Sequence, residues 1–374
     1  MNGLRPRTVL GLLGGMKLRR HYYHCQDCGQ GSVPFDQTLG LDATRQTPAA
    51  REVIALTGAV ESFPTSADKL LEKLSGIRVS ESTIQRVTEV AGARIGQALA
   101  DGEVFGEPKA WEWHRDAEGR TVAYVSTDAT GVKIQGPGGG KADGRMINVG
   151  MIYNPIPEDR ARWAHPDRSR PAWQARYVTS LDGLDALGQP LRRQGAQVGM
   201  DAAQRWVAIS DGGSGLEEFL TSNFPRVEAV ILDFYHAAEY LGAIGRAWHP
   251  GDDAASKAWS QPWCHELKHG GGEVVLAKLR ALAQSGVPPS VVGPVGEAIG
   301  YFENQKHRMD YPAYQAKGWH IGSGPVESAC KSVIGARMKQ AGMRWGTDGA
   351  DQVGHIRALF RGEIGQWDAY WSHN

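Results

Sequence analysis

Three short apolar runs set the strongest limit on how this chain can fold: TVAYVST, RWVAIS and RVEAVIL, which end against Asp128, Asp211 and Asp233. Rich in β-branched and aromatic residues, such runs read as buried strands. A carboxylate is costly to bury among apolar strands. Just where a strand emerges, it stands at the rim of the sheet, where open α/β folds build their sites.

Between the first two runs lie the Gly-rich GPGGGKADG, two more strands, MINVGMIYN and ARYVTSL, and a helix, LDALGQPLRRQGAQVG; SGLEEFLTSNF is a helix before the last run. The order β-β-β-α-β-α-β is that of an α/β, RNase H-like mixed sheet. Its first and fourth strands are neighbours, which brings Asp128 and Asp211 together across 83 positions (211 − 128). Residues 237–318 are helical, rich in Trp (Trp248, Trp259, Trp263), and interrupt this pattern as an insertion. Pro325 to Gln340 reads as a final strong helix.

A length of 374 residues suits two or three domains. The segments are 1–45, basic and zinc-knuckle-like; 46–100, a helical helix-turn-helix region; and 101–120, a linker or edge hairpin. Residues 121–236 form the first part of the RNase H-like core, 237–318 the helical insertion, and 319–374 a glutamate-bearing helix with C-terminal helices.

Glu327 opens that last helix in Gly-Ser-Gly-Pro-Val-Glu. With Gly324 as cap, Pro325 takes the first helical position and Glu327 falls in the first turn, facing the preceding loop. Three carboxylates at one rim suit phosphodiester chemistry, in which two divalent ions about 3.5–4 Å apart activate the attacking oxygen and stabilise the leaving one. Mg²⁺ is hard and leaves several of its positions to water and phosphate, so two or three carboxylates suffice.

Each acid alone has a plainer reading. Asp128 before Ala-Thr-Gly suits a turn, Asp211-Gly212 is a common turn pair, and Glu327 can pair with Lys331 for about 0.3–0.5 kcal/mol. Those readings weaken when all three positions match one topology. Asp233 and His236, in Asp-Phe-Tyr-His, lie beside the same edge and read as supporting residues; a core histidine is the alternative.

Lys plus Arg equals Asp plus Glu, so DNA binding by bulk charge is disfavoured and local basic surfaces carry the case. Arg5, Arg7, Lys17, Arg19 and Arg20 precede any acid, and Lys331, Arg337, Lys339 and Arg344 follow Glu327 with no acid before Asp348. Leu70 to Ala91 have helix-turn-helix proportions, with Gly76 in the turn and Ser80 or Ser82 capping the second helix. In a DNA-reading motif, Ser82, Thr83, Gln85 and Arg86 would meet the bases; an ordinary helical pair reads equally from this pattern. Cys25-x-x-Cys28-Gly29 is either half of a zinc site, with His21 and His24 nearby, or two reduced thiols in a turn. The four cysteines show no disulfide framework. No apolar run is long enough to span a membrane and no signal peptide is evident, which together read as a cytoplasmic protein without a membrane partner.

Taken in order, YVSTDATGVKIQG, ISDGGSGLEEFL, VILDFYHAAEYL and GSGPVESACKSVIGARMKQAGMRW resemble the sequence blocks of ISKra-type insertion-sequence transposases, relatives of the Mutator-like superfamily. RRHYYHCQDCGQGSVPFD and GQWDAYW also resemble this family, so the likeness covers nearly the whole chain. It implies a DDE-type transposase on an RNase H-like fold, with metal-binding acids at Asp128, Asp211 and Glu327. The family's Asp/Cys-x-x-His element falls on Asp233 and His236. It further implies Mg²⁺ or Mn²⁺, terminal inverted repeats and target DNA as partners, and a homo-oligomer on DNA. Lys331, Arg337, Lys339 and Arg344 are then expected at phosphates near the cut. Such proteins tend to carry a longer N-terminal region with further Cys residues, so a truncated or late-start reading frame is expected. The rival readings are an RNase H-like nuclease that cuts without joining and a non-catalytic helix-turn-helix DNA-binding protein.

Overall fold

A computed structural model describes residues 3–41, 44–155, 174–363 and 365–372. The chain forms two compact units that interleave along the sequence. Unit 1 takes residues 1–107, 131–145 and 332–374; unit 2 takes 108–130 and 146–331. No helix among the described residues is long and apolar enough to cross a membrane.

Unit 1 begins with an antiparallel hairpin, β1 (Leu4–Gly11) and β2 (Gly14–His21). A smaller hairpin follows, β3 (Tyr23–His24) and β4 (Gly31–Ser32). Arg7 and Arg20 both bond the buried Asp36, which ties the first hairpin to the short helix Pro34–Thr38. Beyond these hairpins the unit is mainly helical, apart from the stretch 131–145. Thr47 caps the helix Pro48–Val60 through its side-chain oxygen. Residues 63–75 wind as α, π and α turns and stop at Gly76, whose φ of 72° is left-handed and suits glycine. Ser80 then caps Glu81–Asp101 by accepting from the Thr83 N–H, so a helix, a turn and a second helix stand where expected.

Thr347–Arg361 crosses Glu81–Asp101 at Gly92, where an added Cβ would lie 1.9 Å from the Gln352 carbonyl oxygen. Only glycine permits that approach of two backbones.

Unit 2 is built on a mixed sheet. Its strands are β5 (His114–Arg115), β6 (Thr121–Val132), β7 (Arg145–Asn154), β8 (Gln174–Ser180), β9 (Arg205–Ser210) and β10 (Val227–Leu232). The order is β10-β9-β6-β7-β8, with β5 paired to β6. β10, β9 and β6 run parallel, and β7 and β8 antiparallel. The first and fourth strands of the α/β segment are thus neighbours.

The pleat sorts the side chains. Ala123 and Val125 of β6, with Trp206 and Ala208 of β9, pack with Leu187, Leu191, Phe219 and Leu220 from the helices Asp185–Gln197 and Leu216–Asn223. Tyr124 and Ser126 point to the opposite face.

Two expectations need correction. β6 does not end at Asp128 but continues to Val132. Its parallel neighbour β9 does stop at Ser210, so Asp128 lies where β6 has run past that neighbour. Nor is Pro325–Gln340 one regular helix. It runs as Gly324–Ala329, a π-helical stretch Cys330–Gly335, and Ala336–Met338. The N-cap is Ser323, one residue before the expected Gly324. The helical segment 237–318 is as expected: Phe234–Trp248, Asp253–Gln284, Pro289–Gln305 and Tyr311–Ala316.

Candidate active site

The strand register explains how the aspartates meet. Ser126 pairs with Ile209 across β6 and β9, and Leu232 with Ser210 across β10 and β9. Continued by one or two residues, the same registers set Asp128, Asp211 and Asp233 level on three consecutive strands. Level residues of neighbouring strands share a face. Here it is the face opposite the helices Asp185–Gln197 and Leu216–Asn223.

The three carboxylates nevertheless differ. Asp233 is fully buried and accepts from three backbone N–H groups. Its Oδ1 accepts from the N–H of Tyr235 and, at 2.9 Å, of Ser323; its Oδ2 accepts from the N–H of His236. It caps the helix Phe234–Trp248 and pins the loop leading to Glu327 to the end of β10. A backbone bond from the Phe234 N–H to the Ile321 carbonyl holds the same junction.

Asp211 is more open. Its Oδ1 accepts from the Gly213 N–H at 2.9 Å, and its Oδ2 lies 4.0 Å from Nε2 of His236. Asp128 accepts from the Ala129 N–H at 2.7 Å. Burial raises the Asp128 carboxyl above its ordinary range, and the charges of Asp211 and Glu327 add to the rise; the Ala129 N–H and the Cys330 thiol work against it. Asp211 and Glu327 are therefore each close enough for their charge to be felt at Asp128.

Glu327 stands in the first turn of its helix, where its Oε1 accepts from the Ser323 hydroxyl at 3.2 Å. Its Oε2 lies 3.5 Å from Lys331, which is 81% exposed. Cys330, on the same helix one turn after Glu327, reaches Asp128. Among the described residues no three His, Cys, Asp or Glu side chains converge tightly enough to form a finished metal-ligand set. The donors are all carboxylate oxygens, half-open and mutually repelling, and that chemistry suits a hard divalent cation.

Residues not singled out in the sequence complete the surroundings. Arg308 is buried, with its Nε donating to the Val230 carbonyl and its Nη2 to the Ser210 carbonyl and hydroxyl. Burial lowers its pKa, while Glu217 and Asp211 are among the groups that oppose the shift. It fixes the strand end immediately before Asp211. Tyr301 stacks on Tyr240 at 4.0 Å and packs where a Gly212 side chain would be. The only signal for these two in the sequence was their place near the end of the helical insertion.

The remaining expected site residues are scattered. Arg337 is not a surface phosphate contact. It is fully buried in unit 1, donates to the Gly58 carbonyl at 2.9 Å and lies over the rings of Phe63 and Trp345. Desolvation lowers its pKa to about 10. Lys339 is exposed and Arg344 half-buried, also in unit 1. Ser82, Gln85 and Arg86 are exposed on Glu81–Asp101, Thr83 is partly covered, and Gln85 bonds Glu89. Cys25 and Cys28 are exposed beside the β3–β4 hairpin. The Cys28 N–H, then its thiol and the Asp27 N–H, hold the Cys25 thiol below its ordinary range. Among the described residues no third ligand joins the two cysteines.

No protein-family model matches the chain. It is similar to a curated protein of Streptococcus gallolyticus described as "UPF0236 protein in vanSb 3'region", with 27% identity over 251 residues. That match covers 65% of this chain and 50% of the other protein, so the chain spans about half the length of the curated relative it matches.

Proposed function

We propose that the chain is a DDE-type transposase on an RNase H-like core, cutting DNA at insertion-sequence ends and joining them to target DNA. The observation that carries this reading is the level placement of Asp128 and Asp211 on neighbouring parallel strands, with Glu327 near enough to raise the Asp128 carboxyl. A DNA-binding regulator has no need of mutually repelling acids at one sheet edge.

Asp128, Asp211 and Glu327 would hold Mg²⁺ or Mn²⁺. The ion, when bound, lowers the pKa of water and neutralises phosphate charge. The protein's own part is positioning. Asp233 clamps the Glu327 loop to β10 and is fully buried on three backbone N–H groups, so it is read as a positioning residue and Asp211 as the acid that meets the ion. Arg308 holds the backbone before Asp211. His236 faces Asp211 and orients it, while the exposed Lys331, beside Glu327, would meet a phosphate. Ser323 restrains the Glu327 carboxylate.

The test uses the full chain, Mg²⁺ or Mn²⁺, and oligonucleotides taken from the DNA flanking the gene, uncut to read cutting and pre-cleaved to read joining. We expect metal-dependent cutting and joining, abolished by chelation. Asp128→Asn and Asp211→Asn should each lower both activities at least about 100-fold, as loss of several kcal/mol of metal-borne stabilisation implies. Full activity in Asp211→Asn would overturn its assignment. Cutting without joining would favour an RNase H-like nuclease, and DNA binding with no metal-dependent cutting a regulator.

A further inference from the structure

A basic cavity lies within unit 1. It encloses about 630 Å³ and is lined by Arg7, Arg45, Arg51, Arg86 and Arg94, with Tyr370 and Trp371 on its wall. Arg7 is neutralised by Asp36, but no carboxylate among the described residues lines the cavity. Arg86 and Arg94 have no ion-pair partner among the described residues.

Positive charge is in fact crowded here. After burial, the charge of Arg94 is the next cause that lowers the pKa of Arg51. Like charges held together repel one another and favour an anion between them. The Trp371 indole N–H is buried with no hydrogen-bond partner among the described residues. Arginines reach it from three elements, which marks it as a built concavity rather than a solvated helix face.

Glu81–Asp101 presents Arg86, Val90 and Arg94 at intervals of four, a single stripe. At 1.5 Å per residue the two guanidinium stems are roughly 12 Å apart along the axis, which a single small anion does not span. A chain of phosphates does. Planar guanidinium groups bind phosphate oxygens bidentately.

We infer that this cavity holds the phosphodiester backbone of DNA, so that the DNA-holding face of Glu81–Asp101 is the Arg86–Val90–Arg94 stripe and not the helix N-terminus. The inference rests on the reading of the chain as a DNA enzyme and adds a holding site to it. The site is sequence-independent, because nothing in its lining reads a base edge.

The test measures binding of fluorescein-labelled duplex DNA to the full chain by anisotropy, in EDTA, across a salt series. Each phosphate contact contributes about 0.9 to the slope of log affinity against log salt. Arg86→Gln with Arg94→Gln should weaken binding at least about 10-fold and flatten the slope by about two. Both positions are exposed, and an unchanged melting temperature confirms folding. Arg280→Gln, a paired surface arginine of unit 2, should change neither. Unaltered affinity and slope in the double variant would overturn the inference. So would stabilisation of the wild type, but not the double variant, by inorganic phosphate with no DNA binding. Binding is read in EDTA, where no metal-dependent cutting takes place, so the holding site and the cutting site can fail separately.

Discussion

The acidic edge of unit 2 and the arginine cavity of unit 1 are mirror images in charge. At the first, the charges of Asp211 and Glu327 both act on Asp128, and His236, Lys331 and the buried Arg308 lie near enough to these acids to offset them in part. At the second, Arg51, Arg86 and Arg94 share a cavity that no described carboxylate lines. The formal charge of the whole chain is zero, and it conceals both. Each region also contains charges of the same type that do a different job. Asp233 lies level with Asp211, yet its carboxylate is spent on three backbone N–H groups. Arg337 and Arg357 in unit 1 are spent on the carbonyls of Gly58, Ala59 and Val333. What separates a structural charge from an available one is whether its partners are already in place.

That distinction can be broken experimentally, and Asp233 should give the largest effect. Asp233→Ala leaves three buried donors unmet and should lower stability by about 3 kcal/mol or more, with activity falling as the Glu327 loop is released. Asp233→Asn keeps one acceptor and should recover part of the loss. A melting curve unchanged in Asp233→Ala would return Asp233 to candidacy as a metal ligand.

Arg308→Met comes next. It removes the buried guanidinium that holds Ser210 and should cost about 2–4 kcal/mol, read as a lower urea midpoint. Activity should fall as well, because Asp211 follows that residue directly. A full loss of stability without loss of activity in the surviving folded fraction would show that Arg308 supports the strand alone.

The smallest effect has the opposite sign. A raised carboxyl pKa means that the folded chain holds the Asp128 proton more tightly than the unfolded chain does. The resulting stabilisation is complete below the ordinary Asp range and is lost as pH rises through the raised one. At neutral pH the ionised Asp128 is thus a cost. Asp128→Asn should raise the melting temperature by about 2–4 °C per kcal/mol relieved, and the gain should fade as the pH is lowered through the carboxylate range. A melting temperature that is lower at neutral pH would mean that the acids do not repel one another.

Much of this was legible in the sequence wherever periodicity and turn chemistry decide. The strands TVAYVST, RWVAIS and RVEAVIL, the Ser80 cap and the helical segment 237–318 all follow from local pattern. The pairing of β6 with β9 followed from strand order. Three things did not. Asp211 and Asp233 both follow an apolar strand, and only the loop at Ser323, 90 positions from Asp233, tells them apart. Arg337 stands among surface cations in the sequence, but its partner Gly58 is 279 positions away. Arg308 is an unremarked cation at the end of a helical segment until the fold brings it beneath Ser210. In each case the deciding contact is long-range, and spacing carries no trace of it.

The interleaving of the units bears on how the protein is made. Tyr370 donates to the Ala91 carbonyl and Arg357 to that of Ala59, so the first segment of unit 1 is closed by its last. The two bonds span 279 and 298 positions, so at about 5–20 residues per second their partners are synthesised roughly 14–60 s apart. Throughout that time the helices Pro48–Val60 and Glu81–Asp101 await the helix Thr347–Arg361, which packs on both. A nascent chain with its apolar helices waiting so long is an obvious client for a ribosome-associated chaperone.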